Sequence, residues 1–248
     1  MNPTGNTVLV AGATSGIGLG LALRLHTAGN RVIVSGRRED RLAQIVAENP
    51  GIESVVLDTT DAVAIQDVTA HLLRRFPDLN VLVAMAGIML PEDLHSSGFL
   101  TTAEATVATN LLGPIRLVAA LTEHLATRPQ ATIMTVSSGL AFVPLPITPT
   151  YNATKAAIHS FTESLRVQLA DTVIDVLELV PPAVRTALMG QEEADNAMPL
   201  DAFLDEVMDI LGSDERPPNE ILVKAVEPLR FAEARGQYAD VLRMLAAH

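Results

Sequence analysis

Short apolar segments alternate with longer, helix-like segments along most of the chain. The short segments are rich in Val and Ile and end at Gly, Asp, Ser or Pro, which is typical of buried strands. They are Thr7–Val10, Arg31–Ser35, Ser54–Leu57, Val81–Ala84, Thr132–Val136 and Ile174–Val180. The helix-like segments are Ile17–Thr27, Arg38–Glu48, Asp61–Phe76, Thr102–Leu125 and Ala153–Leu169, the third capped by Thr60 or Asp61. This repetition predicts an α/β fold, a Rossmann-type doubly wound parallel sheet flanked by helices.

The last third of the chain has a different pattern. Residues Met189–Pro218 are rich in acidic residues and helix formers, and they contain no obvious strand. A further strand at Ile221–Val223 is followed by a helix-like stretch through Ala234. Because no linker, repeat or low-complexity tract interrupts the 248 residues, we expect a single domain over 1–248 with a substrate lid at about 187–218.

Composition narrows the classes of partner. The net charge is −12, which disfavours nucleic acid and anionic membranes as partners, since both require clustered cations. Cysteine is absent and the six histidines are scattered, so we expect no thiolate chemistry and no metal site. Residues Met1–Thr7 lack a secretory signal pattern and no run of about 18 apolar residues is evident, so we expect a cytoplasmic protein.

A glycine-rich turn follows the first predicted strand and leads into a helix. The spacing is G-x-x-x-G-x-G, and its residues are Gly12, Thr14, Ser15, Gly16, Ile17 and Gly18. Glycines let the backbone approach a pyrophosphate, and the first amides of the helix point toward it. The alternative is that these glycines serve only the turn and tight packing, but the strand–turn–helix context favours a dinucleotide site.

The end of the second strand bears on which dinucleotide is bound. Arg37 and Arg38 follow it, where a carboxylate would hold the ribose of NAD. A guanidinium grips a 2′-phosphate, so the sequence favours NADP(H) over NAD(H). The alternative is two solvated arginines paired with Glu39 and Asp40.

The segment Tyr151-Asn152-Ala153-Thr154-Lys155 carries the candidate chemistry. Residues four apart on a helix share one face, so the Tyr151 hydroxyl and the Lys155 ammonium would point the same way. A nearby positive charge favours the phenolate, which predicts a lowered pKa for Tyr151 and a usable general acid or base. Taken alone, the Y-x-x-x-K spacing is common by chance.

With Ser138 thirteen residues before the tyrosine and Asn110 in Thr109–Gly113, the chain resembles the short-chain dehydrogenase/reductase family over roughly Thr7 to Thr186. Glycine turn, Asn, Ser, Tyr and Lys occur in the family's order and spacing. The Pro181-Pro182 pair and the segment Arg230–Tyr238 resemble a bacterial DltE-like branch of this family. The resemblance implies an oxidoreductase that moves a hydride between nicotinamide and a small carbonyl or alcohol substrate.

The resemblance also implies roles for the catalytic residues. Tyr151 would exchange a proton with the substrate oxygen, and Ser138 would hydrogen-bond the same oxygen. Lys155 would hold the nicotinamide ribose and lower the pKa of Tyr151. Asn110 would anchor a water that relays protons to the lysine; alternatively, it is a polar residue that satisfies backbone groups in mid-helix.

Further positions match the family's cofactor contacts. Asp58 would contact adenine, Ala86 and Gly87 follow the fourth strand, and Val184 would contact the nicotinamide carboxamide. Pro181 and Thr186 fit the segment that flanks this carboxamide. The chain departs from the family pattern at four positions, where Ala11 replaces Thr, Ala84 and Met85 replace two asparagines, and Pro182 replaces Gly.

The substrate would lie between Gly139–Thr150, with Phe142, Pro144, Leu145 and Pro146, and Ala187–Leu200, with Leu188 and Met189. This lining predicts an uncharged, mainly apolar carbonyl compound. By analogy with the family, we expect a homodimer or homotetramer formed through the helices that carry Asn110 and Tyr151. Two alternatives remain, a non-catalytic NADP-binding sensor or scaffold, and an isomerase, epimerase or dehydratase that recycles its cofactor.

Overall fold

The computed structural model describes residues 3–213 and 219–247. Within these residues, seven strands form one sheet in the order β3-β2-β1-β4-β5-β6-β7, with every neighbouring pair parallel. The strands are β1 Thr7–Ala11, β2 Arg31–Gly36, β3 Glu53–Val56, β4 Val81–Ala84, β5 Ala131–Val136, β6 Ile174–Val180 and β7 Glu220–Leu222. The predicted doubly wound Rossmann sheet is confirmed, including a seventh strand close to Ile221–Val223.

Helices cover both faces of the sheet. They are α1 Gly16–Thr27, α2 Glu39–Glu48, α3 Ala62–Arg75, α4 Leu100–Val107, α5 Gly113–Leu125, α6 Pro149–Gln168, α7 Leu200–Gly212, α8 Glu227–Arg230 and α9 Tyr238–Ala246. Successive strand residues point to opposite faces. In β1, Val8 and Val10 therefore join a core with α1, α2 and α7, whereas Leu9 and Ala11 join a second core with α3 and α5. The predicted lid contains α7, and its residues 214–218 lie outside the described part of the chain.

The structure corrects two predicted helices and adds a third. The segment expected at Thr102–Leu125 is a longer helix interrupted by a π-helical turn at Ala108–Leu112. Helix α6 begins at Pro149 rather than Ala153, because proline is favoured in the first helical turn. Helix α9 was not predicted. Asp61 is confirmed as the cap of α3, since its carboxylate accepts hydrogen bonds from two amides of the first turn.

The continuous helical stretch Ser97–Leu125 has a window of mean hydropathy 1.3, long and apolar enough to cross a membrane by length and composition. Sequence reading missed it because Glu104 and Arg116 interrupt the apolar residues. Leu117, Leu121 and Leu125 on its inner face are buried in the core shared with α3. A core helix satisfies the same criterion, so this stretch is weak evidence for a membrane span.

Candidate active site

A cavity of about 660 Å³ opens at the carboxyl ends of the strands, where doubly wound folds bind ligands. Nearly all the predicted site residues line it, although they come from seven separate segments of the chain. They are Gly12, Thr14, Ser15, Gly16, Ile17, Gly18, Arg37, Arg38, Asp58, Ala86, Gly87, Ser138, Tyr151, Lys155, Pro181, Val184 and Thr186. The fold therefore brings the predicted nucleotide turn and the predicted catalytic residues into one cavity.

The glycine turn is closely packed against neighbouring backbone. Gly12 has φ +88°, and a Cβ there would lie 2.5 Å from Cα of Ala86. A Cβ on Gly18 would lie 2.3 Å from the carbonyl oxygen of Gly12. Such distances do not occur between real atoms, so both positions require glycine for packing. The turn also faces the cavity. The glycines can therefore serve close packing and the proposed binding of a dinucleotide at the same time.

The two missing family asparagines are replaced by backbone pairing and an apolar contact. Ala84 pairs with Ala11 on one side and Thr135 on the other within the sheet. The Met85 amide donates to the carbonyl of Ala11 at 3.2 Å. The Met85 sulfur lies 2.9 Å from the ideal Cβ position of Gly18, so this side chain fills the space beneath the turn. The sheet centre is therefore braced without the asparagine side chains.

Cationic side chains surround the far end of the turn. Arg38 donates from Nη2 to the Thr14 hydroxyl at 2.9 Å, rather than pairing with Glu39 or Asp40. Arg41 donates from Nε to the Thr14 carbonyl at 3.4 Å. Sequence reasoning missed Arg41, although its position one helical turn after Arg37 placed it near the same surface.

Asp58 lies two residues beyond β3 and lines the same end of the cavity. Burial acts to raise the pKa of its carboxyl group. The amide and hydroxyl of Thr60, at 2.9 and 2.7 Å, and the charge of Arg37 outweigh burial and hold the pKa below its ordinary value. Asp58 is therefore a fixed anionic acceptor.

The predicted catalytic side chains meet where β5 ends against α6. Ser138 directly follows Ser137 after β5, and its hydroxyl accepts from the Leu140 amide at 3.2 Å. It also lies close enough to Tyr151, in the first turn of α6, to act on the pKa of that residue. One turn further, the Lys155 ammonium donates to the carbonyl of Val136 at 2.8 Å. All three side chains are buried. The predicted clustering of Ser138, Tyr151 and Lys155 is thus observed.

The expected lowering of the Tyr151 pKa is wrong. Burial raises the pKa of Tyr151 to about 12, and the nearby Ser138 hydroxyl only partly opposes it. The Lys155 ammonium lies 5.5 Å from the centre of the tyrosine ring and donates to a backbone carbonyl instead. Burial also lowers the pKa of Lys155 to about 8, against the opposing charge of Glu178. Desolvation therefore dominates both groups.

Among the predicted catalytic and cofactor-binding residues of the described chain, Asn110 is the one that does not line the cavity. It lies in the π-helical turn, a feature frequent at functional sites. Its Oδ1 accepts from the Ile88 amide and its Nδ2 donates to the Ile88 carbonyl, both at 2.8 Å. Asn110 thus satisfies backbone groups, but those of the segment after Gly87 rather than of its own helix.

The substrate side of the cavity is mostly apolar, as predicted, and includes Leu140, Leu145, Ile147, Leu188 and Met189. Sequence reasoning missed Leu229 of α8 and Leu245 of α9, since no motif marks the carboxyl-terminal helices. The predictions for Phe142, Pro144 and Pro146 are wrong, since none of the three lines the cavity. Phe142 packs elsewhere. Its ring packs edge-on against His159 at 4.8 Å between centroids and beneath the Arg230 guanidinium at 4.5 Å.

Three potential metal-ligating side chains lie near one another behind the catalytic residues. One potential ligand atom from each of His159, Glu163 and Glu178 lies within 4.8 Å of the other two. The spacing of the histidines in the sequence did not predict this arrangement. Each already has a partner within the chain. His159 and Glu178 bond one another, and Glu163 pairs with Arg166. We interpret the group as part of an ion-pair network.

Comparisons of the sequence with known proteins identify the family. The sequence model of short chain dehydrogenases matches residues 6–197. The "uncharacterized oxidoreductase DltE" of Bacillus subtilis is 43% identical over 189 residues, covering 76% of this chain and 75% of that protein. Fold and site thus define a Rossmann-type oxidoreductase with an NAD(P)-binding cavity. The chain belongs to the short-chain dehydrogenase/reductase family and resembles its DltE-like branch.

Solved structures share the fold. A short chain dehydrogenase from Burkholderia cenocepacia in complex with NADP superposes with a TM-score of 0.83 at 24% identity, covering 98% of this chain and 99% of that one. A 3-ketoacyl-(acyl-carrier-protein) reductase from Brucella melitensis complexed with NADH gives a TM-score of 0.78 at 24% identity, covering 88% and 96%. These two proteins are complexed with different dinucleotides, and their likeness to this chain lies in the shared fold.

Proposed function

We propose that this enzyme interconverts a carbonyl and an alcohol on a small, mainly apolar substrate, using NADP(H) and Tyr151 as general acid and base. The observation that carries the proposal is the buried cluster of Ser138, Tyr151 and Lys155, which lines the same cavity as the glycine turn. The nicotinamide supplies or accepts the hydride when bound. Everything else in the reaction is assigned to side chains of this chain.

The electrostatics of the site favour proton donation. Because burial raises the pKa of Tyr151 to about 12, its hydroxyl keeps its proton at neutral pH and is ready to donate it to a carbonyl oxygen. Ser138 would hold that oxygen with a fixed donor, which stabilises the charge that develops there. Lys155 would contact the nicotinamide ribose, and Asn110 would hold the Ile88 backbone beside the cavity. A protonated Tyr151 thus fits the role of proton donor in carbonyl reduction.

The residues of the cavity fit a dinucleotide. The glycine turn presents backbone to the cavity, and Pro181, Val184 and Thr186, which line the same cavity, would hold the nicotinamide amide. Arg37 and Arg38 supply positive charge at the opposite end, and no carboxylate follows β2 directly. These features support NADP(H), since a guanidinium can form bidentate hydrogen bonds with a 2′-phosphate.

Three further expectations belong to this proposal. Residues 187–213 of the predicted lid border the substrate side, and Leu188 and Met189 line it. Exposed apolar residues on the helices that carry Asn110 and Tyr151, such as Leu100, Leu112 and Val167, fit a homodimer or homotetramer interface. We also propose a cytoplasmic location, with no nucleic-acid or membrane partner, in keeping with the acidic surface.

The decisive experiment follows NADPH oxidation with a panel of uncharged aldehydes and ketones, for wild type and Tyr151→Phe. We expect wild-type turnover and a loss of about 10³-fold in kcat for the variant, because it keeps the ring but lacks the proton. NADPH affinity, measured by nicotinamide fluorescence, should change little.

Other outcomes identify the alternatives. Turnover that survives in Tyr151→Phe would show that this residue is not the acid. NADPH binding by a wild type that reduces no carbonyl, with a cellular output unaffected by Tyr151→Phe, would favour the sensor or scaffold. Conversion of a substrate without net cofactor consumption would favour an isomerase, epimerase or dehydratase.

A further inference from the structure

Three consecutive residues at the end of β5 hold three different groups. The Val136 carbonyl accepts from Lys155 at 2.8 Å, the Ser137 hydroxyl donates to Glu178, and the Ser138 hydroxyl lies next to Tyr151. Lys155 and Tyr151 belong to the catalytic cluster, whereas the proposed mechanism makes no use of Glu178. The segment 136–138 nevertheless contacts Glu178 as well as Lys155 and Tyr151.

Glu178 is an unusual residue for its position. It lies in β6 beside Thr135 of β5, and its exposed fraction is 0%. A buried carboxylate is costly and requires hydrogen-bond partners. Its partners are Ser137 and His159, whose Nδ1 lies 2.9 and 3.0 Å from the two carboxylate oxygens. The carboxylate is therefore fixed in place from two elements, β5 and α6.

Charged neighbours of this carboxylate come from α6, β7 and α8. Glu163 of α6 pairs with Arg166, and Glu220 of β7 pairs with Arg230 of α8 at 2.8 Å. In each of these two ion pairs the arginine neutralises the charge of its glutamate. His159 is the direct partner, and the bond with Glu178 raises the pKa of its imidazole against partial burial. Lys155 is the remaining cation, and it is buried together with Glu178.

We propose that Glu178 is a positioning residue of the catalytic site: its carboxylate holds the Ser137–Ser138 turn in place and is the buried counter-charge of Lys155. This inference rests on the proposed roles of Tyr151 and Lys155. Glu178 touches neither substrate nor cofactor cavity, since it lies behind the cavity wall formed by Ser137 and Lys155.

The expected pH effect has a definite sign. Burial lowers the pKa of Lys155 to about 8, and the charge of Glu178 opposes that lowering. Without this charge the lysine would lose its proton at a lower pH. If carbonyl reduction needs the ammonium, activity falls as pH rises through the lysine's pKa, and this alkaline limb moves to lower pH when Glu178 is neutral.

The test compares Glu178→Gln with Glu163→Gln in pH profiles of kcat/KM for NADPH-dependent reduction. Glutamine keeps the size of Glu178 and an acceptor for Ser137 but removes the charge. We expect the alkaline limb to move down by about one pH unit. The control, Glu163→Gln, removes one charge from the face of α6 that also carries His159. This carboxylate is 54% exposed, so the control should move the alkaline limb little. A folded Glu178→Gln enzyme with the wild-type limb would overturn the counter-charge role.

Ser137→Ala tests the positioning role independently, and it also serves if Glu178→Gln does not fold. It leaves the charge and removes the bond to the turn, so we expect kcat to fall about tenfold while the alkaline limb stays. Wild-type kcat in Ser137→Ala would overturn the positioning role. Failure of the proposed function is distinguishable, because it would appear as undiminished turnover in Tyr151→Phe whatever the result at Glu178.

Discussion

The two sides of the cavity are built in different ways. The nucleotide side is backbone packed on backbone, since Gly12 contacts Ala86 and Gly18 contacts Gly12 at distances that leave no room for a Cβ. The substrate side is formed by single apolar side chains from distant segments, among them Leu145, Leu188 and Leu245. Backbone contacts cannot be adjusted by substitution, whereas side chains can be exchanged. We therefore expect the first side to bind the cofactor and the second to set substrate preference.

Gly12→Ala should break the nucleotide side with the largest effect. The new methyl group would lie 2.5 Å from Ala86 Cα, at a φ of +88° that itself disfavours a side chain. The turn must move, and we expect the Kd for NADPH to rise at least about 100-fold. Fluorescence titration of the purified variant measures this change.

Gly29→Ala is the matched control for that substitution. Gly29 has φ +90° but nothing within 4 Å of its would-be Cβ. It should lower thermal stability through backbone strain while leaving NADPH affinity near wild type. Equal losses of affinity in the two variants would show that strain, rather than close packing of the turn, explains the effect.

The same contrast decided what the sequence could predict. The nucleotide turn follows from the strand–turn–helix spacing around Gly12, and the Tyr151–Lys155 pair follows from helix periodicity. Ser138 was assigned through the resemblance to the family. Leu229 and Leu245 could not be found, since their helices reach the cavity only through tertiary packing. The direction of the Tyr151 pKa was wrong for a related reason: spacing revealed the neighbouring lysine but not the burial of both groups.

Arg38→Ala should sharpen the comparison with an intermediate effect. Its guanidinium is held by the Thr14 hydroxyl at 2.9 Å, at the cationic end of the cavity. Loss of a charge-assisted contact to a 2′-phosphate should raise the Kd for NADPH about 10- to 50-fold and leave that for NADH nearly unchanged. Arg37→Ala should act in the same direction. Arg74→Ala, an exposed arginine of α3, controls for net charge. A parallel loss of both dinucleotides in Arg38→Ala would contradict the NADP preference.

Leu245→Ala should have the smallest effect and should act on the substrate side alone. Leu245 reaches the cavity from α9, while Met244 beside it is 55% exposed and does not line the cavity. Removing part of a half-buried apolar side chain should raise KM for a preferred apolar substrate about 3- to 10-fold, with NADPH affinity unchanged. Met244→Ala should change neither constant. If Leu245→Ala weakened NADPH binding as well, the two sides would not be separable, and the carboxyl-terminal helix would belong to the cofactor site too.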